Sequence, residues 1–295
     1  MSTLRELKTR IGSVASTQKT TSAMKMISSA KMRKATLELQ QLSPYRDMVQ
    51  QVIGHLLVTD QQFSSPLIAE REVKKLAIVV FGSDDGLCGG FNVNIVKQLL
   101  DEVSRRRRKL GDDLDVTVLP VGKKVAKALL KLEDTHFHVE VVNYMGTRST
   151  SEQLHDFTTL LQERFMSGTF DRVDVMYMHF ISTGRQRFQV ETLIPVSYQS
   201  LAEQADASAA NSPCLFEPDA NTIFNTVLPL HIKSMIQDVF TQSAASEQSA
   251  RVMAMQAASD NAKELLDSLN LEYNKLRQQG ITTELLDILG GQAER

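Results

Sequence analysis

The stretch Gly82-Ser83-Asp84-Asp85-Gly86-Leu87-Cys88-Gly89-Gly90 is the first place in this sequence where chemistry could reside. It follows an apolar run and precedes an amphipathic one, the strand-to-helix position at which backbone amides can cradle a phosphate. Its spacing matches neither G-x-G-x-x-G nor G-x-x-x-x-G-K-[ST], no Lys follows the last glycines, and Asp84 and Asp85 would repel phosphate. A tight turn that needs positive φ at glycine is the better reading. Cys88, near a helix start, has no His or Asn that can be placed beside it, so a small structural thiol is expected rather than a reactive one. His136 and His138 alternate on one strand face, without a third ligand at metal-like spacing. No paired-carboxylate, Ser/His/Asp or Cys/His arrangement stands out. The residues therefore predict no catalytic group, no cofactor and no metal. They describe a mechanical or interaction protein.

The elements around the glycine loop read as alternating strands and helices. Leu76–Phe81 is a fully apolar strand and 92–110 an amphipathic helix. Leu114–Leu119 is a strand, 122–132 a helix, 137–142 a strand and 150–165 a helix. Strands over 173–181 and 188–196 close the series, joined by a turn that holds Gly184. Strands separated by helices argue a parallel sheet with right-handed crossovers, and the last two strands read as an antiparallel hairpin. Gln199–Asp219 is polar and reads as an exposed loop. The run Arg105-Arg106-Arg107-Arg108-Lys109 ends a helix, where cations complement the dipole, and is expected to be solvated.

Both ends of the chain read as long helices, over 4–57 and 221–289. The central body is about 35 Å across by compactness scaling. At ~1.5 Å per residue the helices would span about 80 Å and 100 Å, so they are expected to project from it. The first opens with apolar spacing at Leu4, Leu7, Ile11 and Val14 and is small, polar or Met-rich from Ser16 to Ala30, and Pro44 is expected to kink or split it. The last is crowded with Ser and Ala from Thr241 to Ala262, then carries a stripe at Leu265, Leu269, Tyr273 and Leu276. Matching small-residue stretches let two helices approach closely, and antiparallel pairing is the economical arrangement. The apolar tip at Ile281, Leu285, Leu286, Ile288 and Leu289 either meets a partner or folds back on the sheet. The expected fold class is α/β, a long antiparallel two-helix coiled coil from both termini plus a Rossmann-like parallel-sheet domain. The expected boundaries are 1–58, 73–218 and 219–295.

Composition is that of a globular chain, 42% hydrophobic and 23% charged, with a net charge of −2 that recruits neither nucleic acid nor anionic lipid. No apolar run is long enough to span a membrane. The first helix is basic, with Arg5, Lys8, Arg10, Lys19, Lys25, Lys31, Arg33 and Lys34 against Glu6. That composition is like a mitochondrial transit peptide, although the helical pattern runs on beyond it. Cations at a helix N-terminus oppose its dipole, so an acidic partner surface is the expected reason for them.

Several segments closely resemble the gamma subunit of the rotary ATP synthase. They are Leu7-Lys8-Thr9-Arg10-Ile11-Gly12-Ser13-Val14, Thr17-Gln18-Lys19-Thr20-Thr21-Ser22-Ala23-Met24-Lys25-Met26, Gly86-Leu87-Cys88-Gly89-Gly90-Phe91-Asn92 and Ser246-Glu247-Gln248-Ser249-Ala250-Arg251-Val252-Met253-Ala254-Met255. Ala258-Ser259-Asp260-Asn261-Ala262, Tyr273-Asn274-Lys275-Leu276-Arg277-Gln278, Ile281-Thr282 and Glu284-Leu285 extend the resemblance along the whole chain. It implies a non-catalytic central-stalk rotor of a proton-translocating synthase, with mature sequence beginning almost at Met1. The coiled coil would turn inside a hexamer of alpha and beta subunits. The Rossmann-like domain would bind the epsilon subunit and the ring of c subunits, at the cytoplasmic face of a bacterial plasma membrane, touching the membrane only through the complex and binding no nucleic acid.

Carried over by position, the resemblance places stator contacts at Met24, Lys25, Arg33, Arg277, Gln278, Thr282 and Glu284. Foot contacts with the c ring or epsilon fall at Leu215, Phe216 and Glu217. Three positions depart from the family pattern: Asp85 replaces a usual basic residue, Phe216 a usual Tyr, and Gly280 a usual Ala or Ser. No inserted cysteine pair like that of chloroplast relatives is present. Two other classes of function stay open on the residues alone: a Rossmann-type nucleotide enzyme with helical arms, and a coiled-coil adaptor that binds nucleic acid through its basic helix.

Overall fold

A computed structural model describes residues 3–57, 63–111, 113–133, 136–197 and 216–293, with side chains described up to 286. The elements in chain order are α1 (Leu4–Leu57), a short 3-10 turn (Pro66–Ile68), β1 (Lys75–Phe81), α2 (Phe91–Leu110), β2 (Asp115–Val121) and α3 (Lys123–Leu129). There follow β3 (His138–Val139), α4 (Ser151–Met166), β4 (Arg172–Ser182), β5 (Arg185–Ile194) and α5 (Ala220–Ala293). Two compact units result: Met1–Ser29 with Arg251–Arg295, and Ala30–Ala250. Each long helix therefore contributes to both.

The larger unit holds one sheet in the order β3-β2-β1-β4-β5. β1 runs parallel to β2 and β4, β2 parallel to β3, and β4 antiparallel to β5. The unbroken apolar run of β1 has a simple cause. Successive side chains point to opposite faces, and both faces are covered. Ala77, Val79 and Phe81 enter one core with Phe157, Leu161 and Phe165 of α4. Leu76, Ile78 and Val80 enter the other with Ile95 and Leu99 of α2 and Val125 and Leu129 of α3. α4 starts on a capping box, in which Gln153 N donates to Thr150 Oγ1 and Thr150 N donates to Gln153 Oε1.

The first core also takes Val49, Ile53 and Leu56 of α1 and Phe224, Leu228, Ile232 and Ile236 of α5. Asn225 Nδ2 donates to Ser64 O at 3.1 Å, and Arg46 faces Asp238 at 3.5 Å. The partner number falls on one side as it rises on the other, so the helices run antiparallel here. Pro44 and Pro229 both lie inside continuous helices, so α1 is not split at Pro44.

Three sequence expectations shift. β3 is only two residues long, not the six of 137–142. The amide of Val139 faces away from β2, and the carboxylate of Glu133 accepts it at 2.9 Å, closing the free edge of the sheet at this point. α3 ends at Leu129 rather than 132, because Lys131 and Leu132 turn back onto Ala128 O and Leu129 O. In the smaller unit, Leu265 is 39% exposed and Leu266 takes its expected place in the stripe.

That smaller unit is a coiled coil. In its first segment Leu7, Ile11, Val14, Gln18, Thr21, Lys25 and Ser28 are among the buried or half-buried positions. In the second, so are Val252, Met255, Ser259, Ala262, Leu266, Leu269, Tyr273 and Leu276. Both sets alternate steps of three and four, the seam of paired helices. Ser28, Ser259 and Ala262 are small enough to let the backbones approach.

Candidate functional site

The glycine loop closes on itself. Gly82 N donates to Val121 O at 2.8 Å, Ser83 N donates to Asn92 Oδ1 at 3.1 Å, and Ser83 Oγ donates to Asp85 O at 2.8 Å. Asp84 Oδ1 accepts the amide of Lys123 at the start of α3, and Asp84 Oδ2 accepts both the amide and the hydroxyl of Thr147. Asp85 pairs with Arg148 at 2.7 Å. The carboxylates thus hold the loop to its neighbours, taking donors that an anion would need. The turn does need glycine, but not throughout for the reason expected. Positive φ occurs at Gly89 and at Leu87. Gly82 is required by close approach, since a Cβ there would lie 2.6 Å from Val125. Cys88 is buried, with Asn92 Nδ2 3.5 Å from its Sγ.

His138 Nδ1 meets Glu133 at 2.5 Å, and His136 Nδ1 meets Arg107 at 2.7 Å. Among the described residues no group of His, Cys, Asp and Glu could hold a metal ion. The arginine run is not uniformly solvated. Arg106 turns inward, with Nε on Glu102 at 2.8 Å and Nη2 on the fully buried Asp174 at 3.0 Å, and Arg172 holds the other oxygen of Asp174. A charge buried with several partners avoids the cost of an unpaired one.

Met24 and Lys25 are half-buried neighbours on the coiled-coil segment of α1, while Arg33 is exposed and belongs to the larger unit. Arg277, Gln278, Thr282 and Glu284 are all exposed within two turns of α5, where Thr282 Oγ1 donates to Gln278 O. Ile281, Leu285 and Leu286 beside them are 46%, 55% and 62% exposed, so the tip's apolar surface is not consumed by this chain's own core. Ile288 and Leu289 lie outside the residues with described side chains. Arg5, Lys8, Arg10 and Lys19 are exposed and form no salt bridge among the described residues. Phe216 packs against the first core and Glu217 is exposed, whereas Leu215 lies outside the described residues.

One cluster has no counterpart in the sequence reading. A cleft of about 680 Å³ in the larger unit lies between β4–β5 and the two long helices. Tyr177 and Gln189 form a cross-strand pair, and Glu191 lies two residues along β5 on the same face. Tyr177 Oη donates to Glu191 at 2.8 Å, and burial with the adjacent Glu191 charge pushes its phenol well up, so it stays a donor. Across the cleft, burial and then Arg46 depress His231 to about 4. The alternation Tyr177, His179 and Gln189, Glu191 was the available signal.

A family model described as ATP synthase matches residues 3–293. An ATP synthase gamma chain of Bacteroides fragilis is 38% identical over 291 residues, and one of Phocaeicola vulgatus 39% over 295, each alignment covering 99% of both chains. The chain belongs to the ATP synthase gamma chain family. A gamma chain of Cupriavidus pinatubonensis is 35% identical over 294 residues. A chain in a structure of the Euglena gracilis mitochondrial ATP synthase superposes with a TM-score of 0.63 at 18% identity, covering 98% of this chain and 93% of that one. A chain of the Tetrahymena thermophila enzyme's central stalk and c ring gives 0.57 at 23%, covering 81% and 99%. Those two share the fold. No described helix is long and apolar enough to cross a membrane.

Proposed function

We propose that this chain is the central-stalk rotor of a proton-translocating ATP synthase, non-catalytic in itself. It couples rotation of a c ring to ATP synthesis in an alpha/beta hexamer at the cytoplasmic face of a bacterial inner membrane. The observation that carries this reading is family membership over residues 3–293. The organisation supports it: a helical segment at 1–58, an α/β domain at 73–218 and a helical segment at 219–295 suit a shaft joined to a foot.

The exposed set Arg277, Gln278, Thr282 and Glu284, with Met24, Lys25 and Arg33, serves as the stator-facing surface. Unpaired Arg5, Lys8, Arg10 and Lys19 suit acidic loops of surrounding beta subunits. A shaft must not bond strongly at any single angle, and exposed single side chains each give a weak, replaceable contact. Phe216 and Glu217, with Leu215, form the foot toward epsilon and the c ring. The glycine loop supports no nucleotide role, because its own carboxylates take the nearby donors.

The test is co-purification and coupling. Tagged chain should recover alpha and beta subunits under mild conditions and restore ATP hydrolysis to a mixture of isolated alpha and beta. Recovery of the chain alone, with no such restoration, would overturn the reading.

A further inference from the structure

None of the residues proposed for the stator and foot surfaces lines the polar cleft between β4–β5 and the long helices, and its chemistry is not that of a shaft. Five of its polar atoms are buried and have no hydrogen-bond partner among the described residues: Arg46 Nε, His179 Nδ1, Gln189 Oε1, His231 Nδ1 and Gln242 Oε1. His231 is only 3% exposed. Buried polar atoms normally find partners, and five of the eight unmet side-chain atoms among the described residues belong to this one cleft.

The pattern of what is met and unmet fixes a preference. Gln189 spends its amide N–H on Glu191 at 2.6 Å, and Gln242 spends its own on Asp238 at 3.1 Å. Each leaves a buried carbonyl oxygen, an acceptor only, without a partner on a residue that lines the cleft. Asp238 has a cation, Arg46, at 3.5 Å. Glu191 does not: its described partners are the neutral Tyr177 hydroxyl and the neutral Gln189 amide. Arg187, paired with His179 across the hairpin, is exposed and lies at the rim of the same β5 face, where its charge reaches Tyr177 without lining the cleft. Among the described lining residues two carboxylates, Asp238 and Glu191, face one guanidinium, Arg46. The histidine nitrogens can donate or accept according to tautomer. The two amide oxygens outnumber the one unmet fixed donor, Arg46 Nε, which faces Asp47 at 3.7 Å, so the described lining offers more acceptors than donors and more negative than positive charge, in a volume suited to a small molecule. No described group there could chelate a metal ion.

We propose that this cleft binds a small organic ammonium compound. Its ammonium group donates to Glu191 and to the amide oxygens of Gln189 and Gln242. A second amino or hydroxyl donor meets Asp238 and an imidazole nitrogen of His231. The proposal does not depend on the rotor reading, because every residue in it belongs to the larger compact unit.

Putrescine is the probe, titrated calorimetrically into the purified full chain at fixed ionic strength, with butanediol as the uncharged isostere. Saturable heat with putrescine and none with butanediol is the expected result. Glu191→Gln should weaken putrescine at least about tenfold, and Gln242→Leu by a similar factor, as loss of one charged or carbonyl acceptor to an ammonium donor predicts. Circular dichroism and urea unfolding check that each variant folds, and where one does not, the wild-type comparison of diamine with diol decides. Equal heats from putrescine and butanediol, no saturable heat from putrescine, or equal putrescine affinity in wild type and folded variants would each overturn the proposal and leave a cleft that holds water.

Discussion

Asp84 Oδ2 accepts two hydrogen bonds from Thr147, from its amide at 3.0 Å and from its hydroxyl at 2.8 Å. With the amide of Lys123 on the other oxygen, one carboxylate ties the β1–α2 loop to the start of α3 and to the segment before α4. Asp84→Ala removes all three acceptor contacts. Bonds to a charged group are worth more than neutral ones, so a loss of about 2–3 kcal/mol of unfolding free energy is expected. Thr147→Val keeps the amide bond and should cost about 1 kcal/mol. Urea unfolding of both variants checks the order, and equal losses would show that the hydroxyl carries the tie.

Two glycines should respond to Ala in opposite ways. At Gly82 a Cβ would lie 2.6 Å from Cβ and Cγ1 of Val125, backed by a full core, so Gly82→Ala should destabilise by about 1–3 kcal/mol. At Gly280 nothing lies within 4 Å of the added Cβ. There the residue sits mid-helix and exposed, and Gly280→Ala should stabilise the tip by about 0.5–1 kcal/mol. Hydrogen exchange of amides 276–284 reads that gain locally.

His231 gives stability a pH dependence of definite sign. Its folded-state value of about 4 lies below the ordinary histidine value near 6.5. Between those values the unfolded chain binds more protons than the folded one, so this contribution is complete above the upper value and is lost as pH falls through the window. The loss amounts to about 3 kcal/mol at the lower end. Arg46, Asp238, Glu191 and His179 line the same cleft, and after burial it is Arg46 that holds the value down. His231→Gln should flatten the stability profile between pH 6.5 and 4, measured by urea midpoints at several pH values.

The exposed tip should separate folding from assembly. Arg277→Ala with Gln278→Ala, and Leu285→Ser with Leu286→Ser, remove exposed side chains that belong to neither hydrophobic core. The isolated protein's stability should change by less than about 0.5 kcal/mol. Recovery of alpha and beta subunits, or hydrolysis restored to them, should fall in both double variants. A large fall in stability with assembly intact would assign the tip to the fold instead.

What could be read from residues alone follows from locality. Leu76–Phe81 announces a strand covered on both faces because every side chain along it is apolar. The coiled-coil seam declares itself through Leu7, Ile11 and Val14, spaced within one helix. The closing of the sheet's free edge at β3 was not legible, since Glu133, which takes the outward Val139 amide, is an ordinary acid in sequence. Nor was the inward turn of Arg106, whose partner Asp174 lies on a strand far along the chain. The cleft was hidden for the same reason: Arg46, Glu191 and His231 come from three distant segments, and only the assembled sheet and helices make them neighbours. The residues proposed to face the stator carry no such signature, because side chains such as Arg277 and Glu284, exposed and far from this chain's core, look like ordinary surface.

The alternating steps of three and four along Leu7–Ser28 and Val252–Leu276 repeat every seven residues. A straight α-helix drifts against that repeat, so the two strands of the coil must wind about each other in a left-handed sense. An object wound with a hand is stiffer against torque that tightens it than against torque that unwinds it. Clockwise and counter-clockwise loads are therefore not mirror images for this pair of helices, a difference that single-molecule twisting in both directions would register as unequal compliance.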